Sequence, residues 1–578
     1  MGSLCVRGAA LAAAVAAVWS FTSSVAGADD DRWAIGHGPV SAVTTGGVES
    51  PDRPPRPPRA AGTPSKPNAR AEWFYSQRSY PLDEIPVGAL GRAQAQAAAM
   101  PEARGALKAS STSPWTPIGP VGFDSRIEPT WGRMSGRVRA IALDPNDPNR
   151  LLLGTATGGV WLSSNAGQSW TPVTDQMPSL AIGAVAIDPN NPNVFYAGSG
   201  EANGTYYSAG LYKSTDGGAS WQVLAADTFR LGAIASILVD PANSNFVLVC
   251  ARNGRLLDGG GVGNNVGGVY RSSDGGQTFQ LVFNSFCTDL VAVPSNFNVM
   301  YTSAAGIGDN NGLYRSTDRG QSFARVEGTV SGSDITRLAI GVSRAGSRVF
   351  IGGEKGSDVV LQRSLDGGTT WSPPTLTPKP DGGEGEALTY CESQCDYDNV
   401  VSVDPFDANV VWLGGIGLFR SGDAMESFIR IGANNTGGGP LHVDHHVFAF
   451  HPNVQGLVYD GNDGGIYRST DGGATWASIG GTLATIQSYH VALHPTDPGI
   501  LYTGNQDNGT TRRTGNDVWA EVAGGDGGYA AVNFDNPQIV YASTTELDFL
   551  KSTNGGDSYQ PAGFERAEGE PVGFIAPV

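Results

Sequence analysis

The sequence predicts an all-β fold, a β-propeller of about nine to ten four-stranded blades. Two observations predict it. A phrase, S-x-(D/N)-x-G-x-(S/T)-(W/F/Y), starts at Ser163, Ser214, Ser272, Ser316, Ser364, Ser469 and Ser552. The successive gaps from Ser163 to Ser364 are 51, 58, 44 and 48 residues, and a period of about 40–50 residues is what one four-stranded blade needs. A degenerate copy starts at Ser421, with Met425 in place of Gly, and an eroded one spans Arg513–Trp519. The second observation is a constant order inside each unit.

The unit Arg137–Val173 shows that order. "RAIAL" is a first strand and "DPNDPN" a turn, in which Pro presets φ and Asp and Asn hydrogen-bond the turn backbone. "RLLLGTA" and "GGVWLSS" are the second and third strands, the recurring phrase is the next turn, and "SWTPV" is the fourth strand. The first turn returns at Asp188, Asp240, Asp404 and His494. Nine units follow this pattern, and "PVGFIAPV" at the end of the sequence begins a tenth first strand. "SPWTPIGP" (Ser113–Pro120) reads as a fourth strand without its own blade, so the two segments are expected to close one ring. The alternative is part of a tandem two-propeller protein.

Before the repeats, residues 1–28 read as a signal peptide: Arg7, an apolar stretch Gly8–Trp19, and the small residues Ala26–Ala28. Residues 29–70 form a Pro-rich linker, 71–112 a partly helical extension with its helix in Asp83–Leu107, and 113–578 the propeller. The expected location is secreted, extracellular or periplasmic, with no transmembrane segment. The formal net charge of −18 disfavours nucleic acid and anionic lipid as partners. Once Cys5 leaves with the signal, Cys250, Cys287, Cys391 and Cys395 remain. An even count in an oxidising compartment favours disulfides, Cys391 with Cys395 and Cys250 with Cys287; the alternative is buried free thiols.

In the recurring phrase the Asp (Asp216, Asp274, Asp318, Asp366, Asp471) is placed to accept hydrogen bonds from its own turn, and the fifth-position Gly is free to take positive φ. The phrase is thus a structural turn rather than a catalytic one. Strands in a blade alternate in direction, so these turns share one face of the disc with the "DPNDPN" turns. The second-to-third loops and the blade connections lie on the other face, and chemistry is expected there.

Those loops carry Glu201, Asp463, Asp507 and Asp526, and two carboxyls flanking a sugar are what glycoside hydrolysis requires. Gln506 and Asn508 are candidate substrate contacts, and Tyr206, Tyr207, Tyr489 and Tyr529 are candidate stacking platforms for sugar rings. In "LHVDHHVFAF", strand alternation points His442, Asp444 and His446 one way, a donor set suited to a divalent metal, Ca or Zn. No cofactor is certain.

The phrase is the Asp-box, or BNR repeat, and residues 115–578 resemble the Asp-box propellers: sialidases, family 74 glycoside hydrolases and sortilin-type receptors. "CDYDNVVSVDPF", "HVDHH", "GNDGGIYRSTDGG", "NQDNGT" and "GGDGG", in that order, resemble exported bacterial BNR-repeat or sortilin-like glycosyl hydrolases. The resemblance implies a carbohydrate or glycoprotein partner and a family 74-like glycoside hydrolase; the alternative is a non-enzymatic sortilin-type binding or scaffold propeller. Family 74 enzymes carry an acid after the second strand of the first blade, where this chain has "GTATGG" (Gly154–Gly159). "SRIEP" (Ser125–Pro129) does not supply the Arg-Ile-Pro of sialidases, so sialidase activity is not expected.

Overall fold

The computed structural model describes residues 66–81, a few positions between 92 and 99, and residues 117–202, 206–229, 232–253, 267–305, 308–375, 389–431, 440–563 and 573–576. The expected signal peptide, most of the Pro-rich linker and most of Asp83–Leu107 lie outside these residues. Among the described residues no helix is long and apolar enough to cross a membrane.

Among the described residues nine sheets form, eight of them with four consecutive antiparallel strands of their own. The fifth has three, Ile335–Val342, Val349–Lys355 and Asp358–Ser364, and a single bridge between Arg363 and Ser372 stands for its fourth. The first strands of blades 1 to 9 are Val138–Leu143, Ile182–Ile187, Gly232–Asp240, Phe286–Val293, Ile335–Val342, Val400–Val403, His445–Phe450, Ser488–Leu493 and Gly527–Val532. Second strands such as Leu151–Thr155, Phe195–Ser199 and Val458–Asn462 are buried throughout, because each is covered on both faces by neighbouring blades.

The blades close in a way the repeat count does not reveal. Gly154 of blade 1 receives Ile182 of blade 2, and Gly198 of blade 2 receives Ile234 of blade 3; a Cβ on either glycine would meet the incoming side chain at 2.6 and 2.3 Å. Gly461 of blade 7 makes the same contact with Val138 of blade 1, where a Cβ would lie 2.9 Å away. One apolar cluster accordingly joins Val138, Leu151 and Leu153 to Leu457, Tyr459 and Ile466. Blades 1 to 7 therefore form a closed ring, and blades 8 and 9 pack on each other through Tyr502, Ala530 and Val540. The expected ring sharing a blade between Ser113–Pro120 and the last residues is corrected. Residues 117–120 form no strand, and Val121 and Trp519 hydrogen-bond across to Asp517 and Ile118. Phe123–Ser125 then adds in parallel to Trp519–Ala523 at the outer edge of blade 8.

The recurring turns behave as expected. In each box the Ser hydroxyl donates to the acidic or amide residue two positions on and accepts from the backbone four positions on, as Ser469 does with Asp471 and Gly473. Asp471 in turn accepts from the Thr475 backbone and hydroxyl, which lowers its pKa to about 2. Every box turn donates to its blade's first turn: Ala166 to Asn149, Gly217 to Asn193, Gly472 to Gly456, Gly555 to Gln538. The two turn types therefore share one face. Both disulfides form, Cys250–Cys287 and Cys391–Cys395.

The longest helix among the described residues is α1, spanning Lys66–Ser79. It begins inside the stretch read as linker. Pro67 sits in its first turn, where a missing N–H leaves nothing unpaired, and Pro81 follows its end, where a helix cannot continue.

Candidate functional site

Most first strands open with a β-bulge, and the bulges build the site. The register shifts between Val138 and Ala140, between Ile335 and Leu338, between His445 and Val447, and between Ser488 and His490. The residues skipped by the ladders include Arg139, Arg337, His446 and Tyr489. A bulge re-aims a side chain at the rim of a sheet, and all four are turned towards the loop-rich face.

Arg137 lies at the centre. Its Nε pairs with Glu201 Oε1 at 2.8 Å, and its Nη1 lies 3.8 Å from Asp463 and 3.6 Å from Asp507. The same Nη1 donates to the Tyr397 hydroxyl, which donates to Asp463 Oδ2 at 2.6 Å. On the other side, Arg139 donates to His446 Nδ1. A guanidinium can only donate, so the His446 proton sits on Nε2 and is given to Asp463 Oδ1, 2.6 Å away. Asp463 is thus an acceptor at both oxygens and is fully buried. Burial, Asp507 and Asp444 push its pKa up, against Arg137 and Tyr397. It is a brace of the axis, as is Glu201, which is ion-paired and 2% exposed.

Asp507 and Asp526 lie beside this core. The Asp507 backbone N–H donates to Asp526 Oδ1 at 2.8 Å, and Gln506 Nε2 donates to Asp507 Oδ2 at 2.9 Å. Asn508 braces the loop, donating to the carbonyls of Asp463 and Gln506. The Asp507 carboxyl feels burial, but Arg70, Lys66 and Arg137 outweigh it and hold the pKa well below the ordinary range. Burial and Asp507 raise Asp526.

The metal expectation is corrected. The strand starts at His445, Asp444 precedes it with φ +65°, and His446 occupies the bulge, so alternation does not hold across His442–His446. His442 places both ring nitrogens against the carbonyls of Val443 and Asp507, with its ring 4.5 Å from Trp131. His445, not His446, faces Asp460, at 2.9 Å. Asp444 instead joins Asp463 and Asp507, each offering a carboxylate oxygen within 4.8 Å of the others. That set contains oxygen donors alone, which suits Ca rather than Zn, and in this structure Lys66, Arg70 and Arg137 supply the opposing charge.

Asp444 differs from its neighbours. It is only partly buried, accepts from Gln394 Nε2 at 3.2 Å, and interacts with Asp398. Burial and Asp507 raise its pKa to about 6, against the pull of Lys66. Asp444 and Asp507 are thus adjacent, partly accessible carboxyls with pKa values pushed in opposite directions.

Of the four tyrosines offered as stacking platforms, Tyr489 and Tyr206 lie against α1. Trp73 of α1 packs edge-on against Tyr489 at 5.8 Å, and Phe74 against Tyr206 at 5.4 Å. Lys66 pairs with Asp526, and Arg70 Nη1 with Asp507 Oδ2 at 3.0 Å. Tyr207 is half-buried and its carbonyl accepts from Ser179, while Tyr529 stacks near His490 at 4.3 Å, away from the acids. Sequence reasoning did not find Lys66, Arg70, Arg137, Arg139 or Tyr397. The i, i+2 pair in "RVRAIAL" was the available signal for Arg137, just before the strand, and Arg139 within it.

Searched against protein-family models, the chain matches none. It is 27% identical over 374 residues to a xyloglucanase of Hypocrea jecorina (strain QM6a), a match covering 60% of this chain and 39% of that protein. The match thus spans well under half the length of that relative. Among solved structures, the GH74 xyloglucanase of Xanthomonas campestris superposes with a TM-score of 0.56 at 17% identity, over 75% of this chain and 69% of that one. An ancestral GH74 enzyme gives 0.53 at 18% identity, over 77% and 63%. The fold of this chain is therefore a multi-blade β-propeller like those of the GH74 enzymes.

Proposed function

We propose that this protein is an exported glycoside hydrolase that binds a β-glucan of the xyloglucan type on its loop-rich face. Export rests on the signal-like leader and the two disulfides; the substrate class rests on the likeness to a xyloglucanase. The observation that carries the chemistry is the Asp444–Asp507 pair. A carboxyl with a pKa of about 6 is protonated enough to act as an acid near neutrality, beside one that stays ionised.

Asp444 donates its proton to the leaving glycosidic oxygen as the bond to the anomeric carbon breaks. Asp507 attacks that carbon, and water, deprotonated by Asp444, then releases the sugar. One oxygen of each lies within 4.8 Å of the other, too close to hold between them the water that an inverting pair, with carboxyls roughly 6.5–9.5 Å apart, requires. The reading therefore calls for retention, which NMR of the newly formed reducing end tests; an inverted product removes this pair from the chemistry. Absence of xyloglucan cleavage by the wild type and by a chain with α1 released removes the enzyme reading.

A non-enzymatic binding propeller is the second reading. It is favoured by the first-blade loop, where Thr155 and Gly158 hydrogen-bond one another and no carboxylate is present. Glycan binding without cleavage decides for it.

A further inference from the structure

The candidate site already holds an occupant, and it belongs to the same chain. Helix α1 presents Lys66, Arg70, Trp73 and Phe74 from one side, at i, i+4, i+7 and i+8. The two cations take Asp526 and Asp507, and the two aromatics take Tyr489 and Tyr206. Arg70 also lies over the Tyr397 ring at 5.1 Å and is itself 5% exposed. Trp73 contacts Phe574 on its far side, so the end of blade 9's trailing segment backs the helix.

The match is chemical as well as steric. Asp444, Asp463, Asp507 and Asp526 crowd together, and the ring itself supplies Arg137, already shared with Glu201. The helix brings the positive charge that meets Asp526 and Asp507. Glu72, Ser76 and Gln77, which have no such partners to meet, are exposed. While α1 is seated, Asp507 Oδ2 carries Arg70 and the two tyrosine faces carry Trp73 and Phe74, so a sugar has neither its carboxylate nor its stacking platform.

We propose that Lys66–Ser79 is a built-in competitor that docks on the acidic, aromatic-lined face and keeps the site closed, and that ligand enters only when the helix is displaced. Its effect on sugar binding rests on the glycan reading above; its docking does not. A ligand that needs the open form binds with an apparent affinity reduced by the open fraction.

The test uses the full chain, wild type beside Lys66→Glu/Arg70→Glu, with Gln77→Glu as a charge control on the exposed side of α1. Two readouts need no sugar: amide exchange of residues 66–79, and carbodiimide-driven labelling of Asp507 and Asp526. The double variant is expected to exchange 66–79 faster by about 10²- to 10⁴-fold, the size of breaking a buried ion pair, and to expose both aspartates to labelling. Exchange within the blades stays unchanged, and Gln77→Glu behaves as wild type. Affinity for a xyloglucan oligosaccharide rises in the double variant by the gain in open fraction. Docking is overturned if 66–79 exchanges at the unprotected rate in the wild type, or if the aspartates label equally in both chains. Closure is overturned if the released chain binds the oligosaccharide no better than the wild type. If release and labelling occur but neither chain binds glycan, the glycosidase reading fails and the docking stands.

Discussion

Asp444 and Asp507 face each other with the same unusual backbone, φ +65° and +56°, and opposite electrostatics. Burial and Asp507 itself raise Asp444 to about 6, while Arg70, Lys66 and Arg137 hold Asp507 low. Non-glycine residues in the left-handed region are uncommon and gather at functional sites. Here they turn two loop carboxyls from different blades towards one another.

Each member of the pair is expected to be needed for turnover. Asp444→Asn and Asp507→Asn, made in the helix-released chain, should lower kcat on xyloglucan by about 10²–10⁴, with KM changed little for Asp444→Asn. Steady-state reducing-sugar assays check this, and near-wild-type rates in either variant remove it from the proposed pair.

The pH profile carries a sign. An acid must be protonated, so kcat/KM should fall as pH rises through about 6, where Asp444 ionises.

Stability should report the same group. A carboxyl raised from 3.8 to about 6 binds its proton more tightly folded than unfolded, so stability is full below about pH 4 and falls as pH rises to about 6. Asp444→Asn removes that fall. The variant should gain about 3 kcal/mol on wild type between pH 4 and pH 7, at about 1.4 kcal/mol per unit, as read from urea midpoints at both pH values.

Arg137 should be the costliest residue of the site to lose. Arg137→Met strands Glu201 and Asp463 in the interior without their cation, a loss of about 3–5 kcal/mol. Arg137→Lys should recover only part, since one ammonium does not reproduce the fork that meets Glu201, Tyr397 and Asp507. Chemical denaturation of both variants checks this.

Ser469→Ala separates the two faces of the disc. It leaves the Gly473 N–H without its acceptor at a cost of about 1–3 kcal/mol, yet ligand affinity should be unchanged, because that turn lies opposite the acids. A calorimetric Tm with a parallel binding curve reads both quantities.

The sequence disclosed the features that are local. A Ser, an Asp and a Gly within five residues satisfy one another, so the box turns and their face could be read from spacing. The face that carries the acids followed from strand order. What escaped depends on packing across blades. His442, Asp444 and His446 were expected to alternate, and a bulge at His446 with a positive φ at Asp444 sends them to different neighbours. Arg137 and Arg139 look like solvated strand residues, yet they point to the axis because every first strand begins there. The closure of seven blades depends on Gly461 admitting Val138, and no count of repeats contains that contact. Helix α1 was hidden by the prolines around it.

The strand Phe123–Ser125 has a consequence for how the molecule is made. Ser125 and its partner Glu521 are separated by 396 residues, and Arg70 and Asp507 by 437. At a synthesis rate of about 5–20 residues per second, these early segments wait on the order of 20–80 s for the residues that receive them. Blades 1 to 7 are complete within that interval. These early segments are thus placed after blades 1 to 7, and the site is sealed only once the scaffold that forms it has folded.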